Sequence, residues 1–477
     1  MSMDDKPLQI AVVGHTNTGK TSLLRTLTRN RSFGDVADAP GTTRQVRSAP
    51  VLLGQDVALV WYDTPGLEDS VSLRDWIDGL SEPGKRLDGP DRIVKFLSDK
   101  QAEHEFEQEY RVLAQVMRSS ALLYVVDARD TVLAKHRDEI YLLQCCARPV
   151  LPVLNFVANP EANPGPWIAA FARHGMHIHL SFDSVSPPIN GQQSMYETLG
   201  QLLGQYRPLM QSLAAQAGVE RRARVVAAID LLANLCLEVA ALRATVKSDP
   251  SVIEQAVRQQ QERARKLEQQ FIAQLLNLYQ FSDQDYLPPT QGWKSGQWQA
   301  DLFSQNTWSA LGIEIGKGAA VGAMAGAAVD VLSAGLSFGT GTLIGAAAGS
   351  AWRGIDRWGK DIKASLFGER DLTVSDMVLL ALATRNVRLV AALEQRGHAS
   401  QAPVALNEAE RATPEFDSAA FLAVLSQTRQ NSIQRQIKHH VMQALGAATA
   451  SHAQRDELRA LLLCAQALKP LSADGLH

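Results

Sequence analysis

Cysteine is scarce: the chain has four in 477 residues. Cys145, Cys146, Cys236 and Cys464 follow neither a disulfide framework nor zinc-ligand spacing, so a reducing, cytoplasmic compartment is expected. Basic charge is not in excess either. Lys and Arg number 47 against 50 Asp and Glu, a net charge of -3. No broad positive field therefore nominates DNA or RNA as a partner. Met1 to Lys6 lack the basic start and apolar core of a secretory leader. What the chain does have is 45% hydrophobic residues over a length suited to two or three domains, at ~150 residues each.

The first motif follows a short apolar run. Leu8 to Val13 reads as a strand, and Ser22 to Arg29 as a helix. Between them stands Gly14-His15-Thr16-Asn17-Thr18-Gly19-Lys20-Thr21, which is G-x-x-x-x-G-K-[ST] in the setting that gives it meaning. The glycines let backbone N–H groups face phosphate oxygens, and the helix N-terminus adds its dipole. Lys20 is placed to reach the β- and γ-phosphates and Thr21 to ligate magnesium; Ser22 completes the cradle. Downstream come Pro40-Gly41-Thr42-Thr43-Arg44 in a polar loop and a strand, Val57 to Tyr62, that ends in Asp63-Thr64-Pro65-Gly66. An aspartate there suits the magnesium shell, and the Gly66 N–H suits the γ-phosphate.

These three segments resemble the G1, G2 and G3 motifs of the Era, TrmE and Der group of GTPases, over roughly residues 8 to 205. The resemblance implies GTP and Mg2+ as ligands, with Thr21, Thr43 and Asp63 around the metal and Lys20, Thr43 and Asn17 assisting hydrolysis. Thr42 is the alternative to Thr43. Asn17 falls where TrmE-like proteins hold K+. Leu67 stands where Ras-like proteins carry a water-orienting glutamine, which implies slow turnover. Arg44 reads either as a finger or as a solvated, partner-contacting residue.

The base-recognition end departs from that group. Ala121 to Asp127 and Val150 to Val157 read as parallel strands, but the second ends in Asn155-Phe156-Val157-Ala158 instead of N-K-x-D. Asn155 is kept, while the aspartate that accepts from guanine N1 and N2 is missing. Ser181 and Phe182 are expected in the following base-side loop, and Asp183 is one candidate to replace the lost carboxylate. Guanine is the favoured base, with relaxed specificity as the alternative. A long insertion at switch II, about 67–119, is Pro/Gly-rich first and helical over Asp99 to Met117; it reads either as a γ-phosphate sensor or as a solvated loop. His174, His177 and His179 lack a completing ligand and are not read as a metal site.

The second half is helical. Val225, Ile229, Leu232, Cys236 and Val239 form a stripe suited to helix packing or self-association within stalk-like helices, 216–280. The segment 311–352 is Gly/Ala-rich, with glycines four apart at 318, 322 and 326 and again at 341, 345 and 349. Asp330 marks the turn of an expected hairpin, and Trp308 and Trp352 its open end. Arg353, Arg357, Lys360 and Lys363 follow on one helical face, suited to anionic headgroups. The hairpin reads either as membrane-apposed, peripheral at the inner membrane, or as a tight pair inside the fold. Residues 371–477 read as amphipathic helices, with Ser375 capping and Gly397 stopping one.

The expected architecture is an α/β P-loop domain, 1–212, with a mostly parallel sheet and helices on both faces. An all-α domain, 213–477, follows it. The whole resembles a bacterial family in which an Era-like domain precedes a helical region of unknown function. The implied role is a GTP/GDP switch controlling a helical effector that meets an anionic membrane surface or a membrane protein. A regulatory scaffold with negligible turnover is the alternative. A ribosome or RNA assembly role is disfavoured because no basic-aromatic nucleic-acid pattern is present.

Overall fold

A computed structural model describes residues 6–34, 45–80, 87–247, 249–287, 336–337, 369–405, 416–439 and 452–463. Thr42, Thr43 and Arg44, and the expected hairpin apart from 336–337, lie outside the described residues. The chain forms two compact units. The first comprises 1–221 and Gln395–Gln401, the second 222–394 and 402–477.

The first unit is built on a six-stranded sheet. Its strands are β1 (Leu8–Val13), β2 (Arg47–Leu53), β3 (Asp56–Asp63), β4 (Ala121–Asp127), β5 (Val150–Asn155) and β6 (Leu180–Ser181). Their order is β2-β3-β1-β4-β5-β6, antiparallel only at β2–β3. β4 is buried along its whole length, as expected of a central strand covered on both faces. Alternation along β1 divides the core. Ile10 and Val12 pack with Leu23, Trp61 and Tyr196 on one face, Ala11 and Val13 with Leu67, Phe96 and Tyr124 on the other.

Helix α1 (Lys20–Thr28) follows β1. The switch II insertion is a folded subdomain: α2 (Ser70–Gly79), α3 (Gly89–Leu97), α4 (Lys100–Glu105) and α5 (Glu107–Arg118). Leu73, Ile77, Ile93, Phe96 and Val112 from these helices are fully buried, so the segment is part of the core and not a solvated loop. Helices α6 (Ala134–Cys145), α7 (Pro164–Arg173) and α8 (Gly191–Leu202) complete the α/β layers.

Helix α9 (Arg207–Ala240) runs unbroken through residue 212 and changes unit at Arg221/Arg222. In the second unit its stripe, Val225, Ile229, Leu232, Cys236 and Val239, is buried. Pro250 opens α10 (Pro250–Leu278), with Asp249 accepting from Ser251 N at 2.8 Å as its N-cap. Helices α11 (Asp376–Glu394), α12 (Ser418–His439) and α13 (His452–Leu463) follow, and Ser375 Oγ accepts from Val378 N at 3.5 Å at the start of α11.

The second unit is mostly helical, as its pattern implied, but it also holds two small sheets that the all-helical expectation did not contain. One joins β7 (Arg243–Lys247), β10 (Glu369–Val374) and β9 (Leu336–Ser337); the other pairs β8 (Tyr286–Leu287) with β11 (Val404–Ala405). Helix α10 packs on β7 and β10. Among the described residues, no helix is long and apolar enough to cross a membrane.

Candidate nucleotide site

The site grows from the turn between β1 and α1. Gly14 and Gly19 take positive φ, 149° and 85°, and Asn17 does so at 66°. These left-handed residues curl the backbone so that the first N–H groups of α1 converge on one concavity. Lys20 is folded back over that concavity and donates to Gly14 O at 3.1 Å and His15 O at 2.7 Å. Burial draws its ammonium down to about 8, against the opposing pull of Asp63, Glu139 and Glu68. An anion placed there would meet both the Lys20 ammonium, whose charged form it favours, and the backbone donors.

Asp63 ends β3 beside it. The Thr21 hydroxyl donates to Asp63 Oδ2 at 2.6 Å. Among the described residues, Asp63 Oδ1 is buried and has no hydrogen-bond partner. Burial raises the Asp63 carboxyl above the ordinary range; the Thr21 hydrogen bond and the Lys20 charge oppose the rise. A buried carboxylate oxygen without a donor, next to a hydroxyl, fits a hard divalent cation such as Mg2+.

Switch II is tied to the phosphate loop by main chain. Thr64 Oγ1 donates to Val12 O at 2.8 Å, and Leu67 N to Gly14 O at 3.1 Å. Gly66 packs against Thr16. The Leu67 side chain lies fully in the core, so it presents nothing to water. His15, unremarkable in the motif, proves to be a junction. Its Nδ1 lies 2.6 Å from Leu67 O and 2.9 Å from Oε1 of the fully buried Glu139, and its Nε2 lies 2.8 Å from Lys135 Nζ. Tyr124 donates to the other Glu139 oxygen at 2.7 Å. Beside this, the Glu109 carboxylate accepts from Glu68 N and Asp69 N at 3.1 and 3.0 Å, fixing the entry to α2.

On the other side of the phosphate loop in the sheet order stands β5. Asn155 donates to Thr18 O and accepts from Phe156 N and Ser184 N, each at 2.9 Å. One side chain thus joins the phosphate loop to the loop after β6. Ser181 is exposed on β6, and Phe182 is buried in the core with Met195 and Tyr196. Asp183 was the candidate substitute for the lost aspartate. Instead its Oδ1 takes Val185 N and Ser186 N at 2.8 and 2.9 Å, and its Oδ2 takes Ala158 N at 2.9 Å. It is 3% exposed, and its carboxylate serves the loop backbone. Among the described residues, then, Gly14 to Ser22, Asp63, Gly66 and Asn155 gather at one end of the sheet, whereas Phe182 turns away from it.

Two stretches of the chain are similar to known families. A family described as "50S ribosome-binding GTPase" matches residues 9–156, and one described as "Domain of unknown function (DUF3482)" matches residues 169–463. The tRNA modification GTPase MnmE of Mycoplasmopsis pulmonis is 28% identical over 28% of this chain and 30% of its own length. The probable GTP-binding protein EngB of Gemmatimonas aurantiaca is 33% identical over 19% of this chain and 46% of its own. The chain spans less than half the length of these curated relatives. Among solved structures, Era in complex with MgGDPNP and a segment of 16S ribosomal RNA matches at a TM-score of 0.31. Its sequence identity is 17%, over 41% of this chain and 57% of that one.

Proposed function

The chain belongs to the family of the domain of unknown function DUF3482, with a P-loop GTPase domain ahead of it, and on that premise we propose that it is a magnesium-dependent GTP-binding and GTP-hydrolysing switch. The observation that carries the proposal is the Thr21–Asp63 pair beside Lys20. A hydroxyl and a buried carboxylate with one unpartnered oxygen stand next to a buried ammonium at a helix N-terminus.

The chain's own residues do the following. Backbone N–H groups at the start of α1 and the Lys20 ammonium bind the β- and γ-phosphates and offset charge as the terminal bond breaks. Thr21 and Asp63, with Thr43 from switch I, would hold Mg2+. Held there, the cation would supply positive charge against the phosphates. Asn17, exposed at the rim, would hold K+ beside the phosphates. Leu67 is buried, so the water-orienting role of a glutamine is unfilled at that position, which supports slow intrinsic turnover. His15 and the Gly14 carbonyl keep switch II on the phosphate loop, so a γ-phosphate seated there is felt at α2.

Phosphate release from GTP by the full chain, in potassium and in sodium, tests the reading beside a Lys20→Ala control. Slow release that needs Lys20 and rises with potassium is expected. Release that ignores Lys20 would sink the proposal.

The output is proposed to reach an anionic membrane surface or a membrane protein through segment 311–352. From Gly318 to Trp352 its only charge is Asp330, and basic residues follow. The full chain should float with anionic liposomes in at least one nucleotide state. Its absence from the floated fraction in GDP, GTP and nucleotide-free buffers alike would end the membrane reading.

A further inference from the structure

We propose that Phe156 and Arg129 form the base platform of this nucleotide site, so that it takes purine nucleotides by stacking and does not read the guanine 2-amino edge. The inference rests on the phosphate-site reading above and extends it to the base.

The argument begins with what flanks Asn155. Because Asn155 bridges the Thr18 carbonyl and Ser184 N, the next residue stands at the rim of the phosphate loop, away from the Asp63 side. That residue is Phe156, held in a left-handed conformation at φ 58°. Its ring edge abuts the phosphate loop: a Cβ on Gly19 would lie 2.9 Å from Phe156 Cζ. The Arg129 guanidinium lies over the ring, with Cζ 4.3 Å from the centroid. Asp127 pins it there through Nε–Oδ1 at 2.9 Å and Nη2–Oδ2 at 2.6 Å. A planar cation lying over an aromatic ring is thus fixed beside the phosphate loop, and both groups are suited to stacking on a base.

Hydrogen-bond readout by a carboxylate is missing at the same place. The position that carries the aspartate in N-K-x-D is Ala158, an exposed methyl whose N–H is spent on Asp183. Asp183 in turn is buried, and both its oxygens are engaged by backbone donors of the loop. Ala158 offers no acceptor to guanine N1 and N2, and the Asp183 carboxylate is buried in the loop. Stacking tolerates any purine because every base has a π-face.

Equilibrium titration calorimetry of the full chain with GDP, IDP and ADP in magnesium buffer tests this. Wild-type protein should bind GDP and IDP, which differ only by the 2-amino group, within about threefold, and ADP within about tenfold. Phe156→Ala should weaken all three by about tenfold, while Phe156→Tyr keeps them. Ala158→Asp should create a GDP-over-IDP preference of about tenfold or more. Wild-type discrimination above about thirtyfold between GDP and IDP overturns the platform without recourse to any variant. So does a folded Phe156→Ala protein that titrates like wild type while Lys20→Ala does not bind. If wild type binds no nucleotide, like Lys20→Ala, the phosphate-site reading falls and the platform falls with it.

Discussion

Gly397 donates its backbone N–H to the carbonyl of Val185 at 2.9 Å, and the Ser184 carbonyl already fills the space a Cβ would need at residue 397. The same Ser184 carbonyl accepts from Thr26 Oγ1 of α1 at 2.7 Å, while Ser184 N donates to Asn155. The base-side loop is therefore held by the nucleotide helix, by β5 and by a glycine that follows α11 in the chain. Gly397 lies within the residues matched by DUF3482, yet it belongs to the first unit.

Gly397→Val should push the segment off the loop. Overpacking at such a site costs about 1–3 kcal/mol, and GDP affinity should weaken with it. Thermal unfolding with and without GDP would measure both. An unchanged midpoint would show that the loop does not need this contact.

Nucleotide affinity should depend on pH through Lys20. In the empty site its ammonium is held down to about 8 by burial, and a bound phosphate, as a nearby negative charge, is expected to raise it again. Below about pH 8 both states are charged and affinity is flat. Above it, binding takes up a proton, so affinity falls by up to about tenfold per pH unit until the Lys20 pKa of the complex is reached. Calorimetry of GDP binding in buffers of different ionisation enthalpy reads that proton directly. No uptake at about pH 9 would contradict the assignment.

In the second unit, Glu268 of α10 is 6% exposed and is gripped by α11. Arg385 Nε donates to Glu268 Oε1 at 3.1 Å, Arg385 Nη2 bonds to Glu268 Oε2, and Asn386 Nδ2 donates to Oε1 at 2.9 Å. Removing one partner of a buried pair leaves the other charge uncompensated. Glu268→Ala should therefore lower stability by about 3–5 kcal/mol, read as a fall in the denaturant midpoint. Glu268→Ala with Arg385→Met should recover part of the loss.

The phosphate-loop motif and the proposed metal residues could be nominated from sequence because phosphate recognition uses a contiguous run of backbone. Gly14 to Thr21 carry their geometry in their order, and Asp63 follows from the strand that ends in it. The base side was not legible. Phe156 meets Gly19, and Gly397 meets Ser184, only through tertiary contact, which no local pattern announces. Asp183 has the right charge in the right loop, but three nearby N–H groups claim its carboxylate. The strands β7 and β10 went unseen because RATVK and ERDLTV are short and polar beside strong helical patterns. The buried stripe of α9 was visible as a stripe, but its spacing alone did not say what would cover it.

The first unit is discontinuous in the chain, and this has a consequence for its synthesis. Roughly 170 residues separate Arg221 from Gln395. At about 5–20 residues per second, the ribosome needs on the order of 10–30 s to deliver the segment that docks on Ser184 and Val185. During that interval the nascent first unit lacks the segment whose Gly397 meets Ser184 and Val185. Completion of the nucleotide unit is thereby timed to the emergence of most of the domain that follows it.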